Sequence, residues 1–572
     1  MSWTGWFIFF LIVQVIHFAG TWKLYQIAGR KAWEAAVPVY NAVVLMKIIN
    51  RPWWWTILLF VPIVNLIMFP VVWVETLRSF GRNSTTDTLL GIFTFGLYIY
   101  YINYTQNVTY LKERSLKPRT STGEWISSIL FAVVAATIVH TYFMQPFTIP
   151  TSSLEKTLLV GDFLFVSKFH YGARAPMTPV AFPMVHDTIP VVHSKSYFSE
   201  PQIPYFRLPG FQDIKRNDIV VFNWPVDTVN AFQQYGDGKY YYKPIDKKSN
   251  YVKRCVGLPG DSLEVKGGYV YIDGEKNILP DRAKPMFYQT ITSEEPLGAT
   301  FFERFGINEI MPFYTISSKF WDDSRVQKYL KEPGRSYLLE ASRDSLNVEV
   351  TGHIGVNDME RFKMTPILNK WNVNIIEEQA SKIKSISTIK SVQIFDYPNG
   401  DLGLFPHDEN YSWDINNYGP IYIPKSGVTV AINHESIPFY KHIIEVYEGS
   451  ELGINNKITQ AGTQVLLNGK PITNYTFKMD YYWMMGDNRN NSEDARSWGF
   501  VPFNHVVGKP VFVWMSWETN AKGITNKIRW DRLFTTVGGS GKPVSYFMYF
   551  VIAVIGWFTF DFFRKRKKGA KK

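Results

Sequence analysis

Two stretches of the chain are apolar on every side for the length of a membrane helix. Residues 125–144 and 544–563 are each 20 residues long, and the only charge in them is Asp561, near the end of the second. A helix needs about 20 apolar residues to cross a bilayer, and the buried helices of soluble domains seldom stay apolar around their whole circumference. Both stretches are therefore predicted to span a membrane.

Three further apolar stretches lie upstream. Residues 3–20 and 53–74 have the composition of membrane spans. Residues 89–104 are short for a span, and a buried core helix remains the alternative there. With these segments, residues 1–105 are predicted to form a membrane domain of three spans, for which anchoring is the default role.

From about residue 160 to residue 540 the pattern changes to short runs of β-branched and aromatic residues separated by Gly, Pro, Asn and Asp. Such runs are typical of antiparallel strands. Tight turns are indicated at Gly267-Gly268, Asp273-Gly274 and Asn468-Gly469. We expect a mainly β, antiparallel core outside the membrane, held by α-helical transmembrane segments. Residues 285–455 share the pattern, include a helix-like piece at 324–331, and are predicted to be an inserted domain.

Basic residues indicate the orientation. The chain has 61 Lys and Arg against 49 Asp and Glu, a net charge of +12. The basic clusters lie at 23–51, 112–119 and 564–572. Because basic loops stay on the cytoplasmic side, these clusters are predicted to be cytoplasmic and residues 145–543 to lie outside. Arg78 and Arg82 fall on the outer side of this arrangement and disagree with it mildly.

Composition excludes several classes of protein. A chain that is 46% hydrophobic and 19% charged is neither disordered nor collagen-like. The single cysteine, Cys255, forbids an intrachain disulfide and any multi-cysteine metal site, and we expect no metal or other cofactor. Because membrane anchoring accounts for much of the positive charge, the lipid bilayer is an expected partner and nucleic acid is not.

Two residues suggest hydrolytic chemistry. Ser153 stands nine residues beyond Met144, which limits it to about 30 Å from the membrane exit. Lysine can replace histidine as the base of a serine nucleophile if burial lowers its pKa. In YVKRC, strand alternation puts Tyr251, Lys253 and Cys255 on one face, where the lysine could be buried, whereas Arg254 would be solvated or ion-paired. Alone, a Ser-Ser after Pro is more often a turn, and a strand lysine is more often exposed.

A third block, residues 481–502, is dense in Asn, Asp and Arg directly after an apolar run. This composition suits a loop whose buried polar groups bond to one another. A solvated loop is the simpler alternative. A calcium loop is disfavoured, because Arg489 occupies the place of an oxygen ligand and no glycine follows at the sixth position.

Together these blocks resemble a known family. The segments PTSSLEKTLLVGDFLFVSKFHYG, KRNDIVVFNWP, YVKRCVGLPGD and GDNRNNSEDARSWGFVP, in this order behind a membrane span, are similar to the conserved boxes of bacterial type I signal peptidase. The similarity covers about 146–265 and 460–530. It implies that Ser153 is the nucleophile and Lys253 the general base of a Ser/Lys dyad.

The resemblance also implies supporting roles. Ser492 would hydrogen-bond and orient the lysine, and Asp494 and Arg496 would support the site from behind. The oxyanion hole would combine the Ser153 backbone N–H with the Thr151 hydroxyl. Two positions depart from the common pattern: Ser152, where glycine is common and which is a rival nucleophile, and Asn490, where aspartate is common.

The implied activity is removal of N-terminal signal peptides from exported preproteins after small-x-small, Ala-x-Ala type sites, through an acyl-enzyme. The partners would be signal-peptide-bearing preproteins, with the protein translocation machinery a further candidate. The location would be the inner (cytoplasmic) membrane, with the catalytic domain on the outer (periplasmic) side. Alternatives are a related protease with a narrow substrate set, and a non-catalytic membrane binding protein with a peptidase-like core. A repressor-like self-cleaving Ser/Lys protein is disfavoured by the spans.

The predicted layout has eight segments. They are a membrane domain at 1–105, a cytoplasmic loop at 106–124, an anchor at 125–144, a first catalytic core segment at 145–284, the insertion at 285–455, a second catalytic core segment at 456–543, a C-terminal span at 544–563 and a basic tail at 564–572.

Overall fold

We describe a computed structural model of the chain. The structure describes residues 1–118, 120–229, 239–332, 336–397 and 403–569, so Arg119 of the second basic cluster and the last three residues of the tail lie outside the described residues. The chain divides into two compact units. The first comprises Met1–Gln145, Ser167–Gln212 and Asp227–Ser249, and the second comprises Pro146–Val166, Asp213–Val226 and Asn250–Lys572.

The first unit is built on helices. They are α1 (Trp3–Ile27), α2 (Tyr40–Ile48), α3 (Trp55–Leu58), α4 (Val64–Ser79), α5 (Thr85–Phe93), α6 (Tyr98–Thr105) and α7 (Ser121–Ile138), the last continued by a π turn at Val139–Phe143. Ser2 caps α1, because its hydroxyl accepts from the Gly5 N–H. Buried apolar side chains of α1, α2, α4 and α6 form one core.

Within the described residues, three helices are long and apolar enough to span a membrane: Trp3–Ile27, Ser121–Phe143 and Phe547–Arg566. The other two predicted spans are wrong as single helices. The 53–74 segment breaks between α3 and α4, where Ile63 has φ of +69°. The 89–104 segment breaks between α5 and α6, where Phe95 and Gly96 both have positive φ.

Contacts at the two ends of this helical bundle differ in kind. At one end, the Trp6 indole donates to the Gln202 carbonyl at 2.9 Å, and Ile63 packs with Ala181 and Tyr197. At the other end, the buried Glu75 carboxylate binds both Arg51, at 2.9 Å, and Arg114, at 2.5 Å. The bundle therefore has one end against residues of the 167–212 segment and one end closed by an ion-pair cluster. We name Glu75, Arg51 and Arg114 the Glu75 cluster.

The second unit carries most of the strands. In chain order they are β1 (Met144–Thr148), β2 (Asp162–Ser167), β3 (Ile219–Asn223), β4 (Asn250–Gly257), β5 (Ser262–Lys266), β6 (Tyr269–Ile272), β7 (Glu275–Lys276), β8 (Met286–Ser293), β9 (Ile310–Ser317), β10 (Ser336–Arg343), β11 (Asn347–Ile354), β12 (Thr365–Ile376), β13 (Ile389–Ile394), β14 (Tyr418–Tyr422), β15 (Thr429–Ala431), β16 (Ile458–Ala461), β17 (Gln464–Leu467), β18 (Lys470–Ile472), β19 (Asn474–Thr476), β20 (Tyr481–Met485), β21 (Val501–Pro502), β22 (Val506–Ser516) and β23 (Thr535–Thr536).

The remaining helices are short, apart from the last. They are α8 (Ala299–Arg304), α9 (Ser318–Trp321), α10 (Ser324–Leu330), α11 (Val356–Arg361), α12 (Glu377–Lys384), α13 (Ile437–His442), α14 (Ala495–Trp498), α15 (Ile524–Lys527) and α16 (Phe547–Gly569). The α10 helix confirms the helix predicted at 324–331.

The core of the second unit is a sheet with the order β1-β2-β22-β3-β4-β20-β21, with β23 beside β22. A four-stranded sheet, β14-β5-β6-β7, and smaller sheets from β15–β19 accompany it. The pairing is antiparallel wherever its register is given. The three predicted turn pairs all have positive φ at both residues, as tight hairpins require. The expected mainly β, antiparallel fold is confirmed.

A separate six-stranded antiparallel sheet, β10-β11-β9-β12-β8-β13, makes up the inserted region, and we call it the inserted sheet. Its strands begin at Met286 and end at Ile394. The insertion is predicted to run to residue 455, whereas β14 at Tyr418–Tyr422 already pairs with β5, a strand of the predicted first catalytic core segment. Sequence pattern alone could not separate the two sheets, since both alternate in the same way.

Candidate active site

Ser153 and Lys253 meet in the second unit. Ser153 lies in a single 3₁₀ turn, Ser152–Leu154, and Lys253 lies near the middle of β4. The Lys253 ammonium donates to the Ser153 hydroxyl at 2.7 Å. Lys253 is only 4% exposed and Ser153 only 7%. The structure thus brings together a nucleophile candidate and a base candidate 100 residues apart.

The position of β4 in the sheet explains the burial of Lys253. This strand pairs with β3 on one side and with β20 on the other, so it is an interior strand. The Tyr251 ring lies on the lysine face, with its centroid 5.5 Å from Nζ, and Cys255 is fully buried. The alternation read from the sequence therefore predicted correctly that Lys253 is buried.

Burial dominates the titration of this lysine. It lowers the pKa of Lys253 from 10.5 to about 8; Asp494 and Glu493 oppose the shift, and Arg496 adds to it. A buried ammonium loses its hydration, and no carboxylate oxygen in the described part of the chain lies within ion-pair distance of Nζ to compensate. About half of the Lys253 side chains are therefore neutral at pH 8.

Asp494 and Arg496 form a buried pair behind this contact. The guanidinium of Arg496 donates to both Asp494 oxygens, at 2.9 and 2.7 Å, and to the Arg489 carbonyl at 2.5 Å. The Gly486 N–H donates to Asp494 at 3.0 Å. The pair therefore ties the start and the end of the 486–496 loop together.

Gly486 is required by close approach. A Cβ at this position would lie 2.6 Å from the Ser153 carbonyl oxygen and 2.2 Å from the Ser492 hydroxyl. Ser492 is buried, and its hydroxyl makes no hydrogen bond to any residue that the structure describes, so the predicted bond from Ser492 to Lys253 is not formed in this structure. The loop that carries Ser492 nevertheless packs directly against the nucleophile backbone.

A second buried ion pair was only half predicted. Arg254 donates to both oxygens of Asp487, at 2.7 and 2.6 Å, and both residues are at most 3% exposed. Of the two predicted settings for Arg254, the ion-paired one is correct and the solvated one is wrong. The Thr157 hydroxyl also donates to Asp487, at 2.6 Å. The acidic residue after Gly486 was a visible signal for this partner.

Asn488 was missed by sequence reasoning. Its backbone N–H donates to the Ser153 carbonyl at 3.0 Å, and its side-chain amide donates to the Ser152 carbonyl at 3.3 Å. It is fully buried. Its place in an Asn-rich loop signalled a polar network but not which contacts it makes.

Two donors close to the Ser153 side chain make no hydrogen bond to the described part of the chain. The Thr151 side chain is exposed, and its hydroxyl makes no hydrogen bond to any described residue. The Ser153 N–H lies in the first turn of the 3₁₀ helix, where a backbone amide has no partner within the helix. Neither donor is therefore occupied by a described residue.

A serine hydroxyl in contact with a buried lysine is an arrangement in which lysine can replace histidine as the base of a hydrolase. Residues 122–300 and 423–517 match the family described as signal peptidase, peptidase S26. Signal peptidase I of Buchnera aphidicola subsp. Baizongia pistaciae is 26% identical over 396 residues, which is 69% of this chain and 77% of that protein. Signal peptidase I of Helicobacter pylori is 22% identical over 433 residues, 74% of this chain and 94% of that protein.

Signal peptidase I of Rickettsia canadensis is 29% identical over a shorter stretch of 158 residues, 28% of this chain and 45% of that protein. The matched part of the chain is a signal peptidase domain of the peptidase S26 family, and the protein is a serine endopeptidase of the signal peptidase type. Residues 33–113 match a family of unknown function, DUF5684. The gap in the peptidase match, 301–422, contains most of the inserted sheet.

The Arg254–Asp487 pair yields a stability prediction. The Arg254→Ala variant leaves a buried, unpaired carboxylate, so we expect the free energy of unfolding to fall by about 3–5 kcal/mol. Thermal melts of the purified protein in detergent, followed by circular dichroism, measure the effect. Arg343→Ala is the control, because the Arg343–Glu340 pair is partly exposed and should be dispensable. Equal melting temperatures for the two variants would contradict the prediction.

Proposed function

We propose that this protein removes N-terminal signal peptides from exported preproteins, with Ser153 as nucleophile and Lys253 as general base. The observation that carries the proposal is the 2.7 Å contact between the buried Lys253 amine and the Ser153 hydroxyl. The matches to signal peptidase I support the substrate class.

The reaction begins with neutral Lys253. The Ser153 hydroxyl then donates to Nζ, and the lysine takes its proton as Oγ attacks the scissile carbonyl carbon. The Thr151 hydroxyl and the Ser153 N–H stabilise the oxyanion. The protonated lysine gives its proton to the leaving amine, which frees the mature protein and leaves the signal peptide as an ester on Oγ. Water, deprotonated by Lys253, then hydrolyses this ester.

Three residues support the dyad. Asp494 and Arg496 hold the 486–496 loop against Ser153 through their buried pair. The buried Ser492 hydroxyl has no hydrogen-bond partner among the described residues, and we assign it the task of binding the ammonium when Lys253 becomes protonated. The site therefore keeps an acceptor in reserve for the charged state of the base.

The substrate is recognised in extended form beside a strand, with small residues at the first and third positions before the cleaved bond, as in Ala-x-Ala. Such sites need only shallow apolar subsites. The proposed reaction uses only side chains of this protein and water, and no cofactor enters it. The partners are preproteins and the lipid bilayer, with the translocation machinery a further candidate.

The proposed topology has three spans rather than five, with the same sidedness. The start of α1, the 167–212 segment and the second unit up to α16 lie on the outer, periplasmic side of the inner membrane. The Glu75 cluster and the basic tail lie on the cytoplasmic side. Because three and five are both odd numbers of spans, the two ends of the chain stay on opposite sides of the membrane, as in the five-span prediction. In this arrangement α4 begins at the outer end of the bundle, where Ile63 packs on Ala181, and runs toward the cytoplasmic side. Arg78 and Arg82, at the far end of α4, therefore lie on the cytoplasmic side and no longer disagree with the charge rule.

The dyad predicts a defined pH dependence. Because the neutral lysine is the active form, cleavage of an Ala-x-Ala preprotein should rise with pH, reach half its maximum near pH 8 and level off above about pH 9. A lysine with the ordinary pKa of 10.5 would give a rate still rising at pH 10. The measurement is kcat/KM of the enzyme in detergent between pH 6 and pH 10.

Substitutions in the same assay identify the nucleophile and the base. Ser153→Ala and Lys253→Ala should each abolish cleavage, and Ser152→Ala should retain it. Robust cleavage by Ser153→Ala would transfer the role to Ser152. A folded wild-type enzyme inert on several such preproteins would overturn the proposed function and favour a narrow substrate set or a binding role.

The oxyanion donor is tested by one methyl-for-hydroxyl exchange. Thr151→Val should lower kcat by about 10²- to 10³-fold, because one preorganised donor to an oxyanion is typically worth about 3–4 kcal/mol. Thr151→Ser keeps the hydroxyl and should restore most of the rate. Thr459→Val makes the same exchange at an exposed position of β16 and should have no effect. A normal rate for Thr151→Val would refute the role of this hydroxyl.

The topology is testable with single cysteines, because Cys255 is buried and is the only cysteine in the chain. Ser199→Cys and Ser115→Cys place exposed thiols on the two proposed sides. A membrane-impermeant maleimide should label Ser199→Cys in intact spheroplasts, and Ser115→Cys only after lysis. The reverse pattern would invert the proposed orientation.

A further inference from the structure

The inserted sheet reaches the active-site loop through one asparagine. Asn374, in β12, is 2% exposed. Its side-chain amide donates to the Asn488 side-chain oxygen at 2.6 Å and to the Glu309 carboxylate at 2.5 Å. Both hydrogens of this amide are therefore committed, one of them to the loop that holds the nucleophile.

Asn488 passes this contact on to the nucleophile. With its oxygen occupied by Asn374, its amide nitrogen must face the Ser152 carbonyl, to which it donates at 3.3 Å. Its backbone N–H holds the Ser153 carbonyl at 3.0 Å. The two carbonyls that flank the nucleophile are thus both held by one residue, and the orientation of its side chain is set from the inserted sheet.

Further hydrogen bonds between the inserted sheet and the 486–496 loop hold Asn374 in place beside Asn488. The Met286 N–H, at the start of β8, donates to the Asp487 carbonyl at 2.8 Å, and the Arg489 N–H donates back to the Met286 carbonyl at 3.0 Å. The Tyr288 N–H donates to the Asn490 side-chain oxygen at 2.9 Å. These two main-chain bonds and the bond to the Asn490 side chain join the inserted sheet to the loop, so Asn374 has a fixed position relative to Asn488.

We propose that Asn374 is a positioning residue of the peptidase: it orients the Asn488 amide, which holds the Ser152 and Ser153 carbonyls and so aims the Ser153 hydroxyl at Lys253. The inference rests on the proposed function. It gives the inserted sheet a role in catalysis that needs no contact between that sheet and the substrate.

The chemistry of an amide explains why the orientation matters. Without the Asn374 donor, the Asn488 side-chain oxygen is buried and unpaired. Leaving a buried acceptor unpaired costs free energy. Rotating the amide by half a turn would not relieve this, because the oxygen would then face the Ser152 carbonyl oxygen and the bond from the amide nitrogen to that carbonyl would be lost. Either outcome loosens the nucleophile turn, and small displacements of a reacting atom have large effects on rate.

The test is a double-mutant cycle in the preprotein cleavage assay. We expect Asn374→Ala to lower kcat by about tenfold and to leave KM within about twofold, because the substrate does not touch it. If Asn374 acts through Asn488, the double variant Asn374→Ala/Asn488→Ala should be no slower than Asn488→Ala alone. Melting temperatures ensure that each rate is measured on folded enzyme.

The control is Asn347→Ala, which removes an exposed asparagine from β11 of the same sheet and should leave kcat unchanged. Should Asn374→Ala fail to fold, Glu309→Ala removes the other partner of the Asn374 amide at a half-buried position and is expected to lower kcat about two- to threefold.

Several results would overturn the inference. They are an unchanged kcat for Asn374→Ala, an effect confined to KM, or single-variant effects that multiply in the double variant. In each of these cases the wild type and Asn347→Ala still cleave, so the proposed function stands. A folded wild type that cleaves no preprotein would overturn the proposed function itself, and the inference with it.

Discussion

The proposed mechanism depends on keeping one lysine neutral in an interior that also holds several charges. A buried lysine loses its proton easily only if no carboxylate stabilises the ammonium. Here both fully buried carboxylates near the site are occupied, Asp494 by Arg496 and Asp487 by Arg254, each through two hydrogen bonds. Their attraction for Lys253 is thereby offset, and desolvation decides the pKa.

Those two ion pairs also hold the geometry of the site. Asp494 accepts from the Gly486 N–H, and Asp487 accepts from Thr157, four residues after the nucleophile. The groups that balance the charge around Lys253 are therefore the same groups that position the loop and the nucleophile turn. Removing either pair would disturb the electrostatics and the geometry together, which is why loss of function alone cannot separate the two effects.

Local signals predicted more of this protein than long-range ones did. The strands around the hairpin turns and the burial of Lys253 follow from alternation and turn chemistry, which act over a few residues. The two predicted spans that break into separate helices had visible warnings in the sequence: Pro62 precedes the break before α4, and Gly96 lies in the break before α6. Hydropathy averages do not register such breaks, because they count apolar residues and not backbone hydrogen bonds.

What the sequence could not predict are contacts between distant segments. Nothing near Asn374 indicates that it meets Asn488, 114 residues away, or that β14 leaves the inserted region to pair with β5. Such pairings are set when whole sheets pack. Asn488 shows the consequence: its amide nitrogen donates to the Ser152 carbonyl, and its side-chain oxygen accepts from Asn374 of the inserted sheet.

The buried charges around the 486–496 loop are unequal in number, and their effect on the pKa of Lys253 can be compared with that of burial. Three buried arginines, Arg254, Arg489 and Arg496, face only two buried aspartates. Arg489 has no carboxylate partner among the described residues, and its guanidinium makes one long bond, 3.5 Å, to the Gly268 carbonyl. Burial and the neighbouring Arg496 lower its pKa to about 10, so it stays charged. Even so, the nearby carboxylates of Asp494, Glu493 and Asp487 raise the pKa of Lys253 and Arg496 lowers it, so burial, and not the count of surrounding charges, favours the neutral form that the proposed mechanism needs.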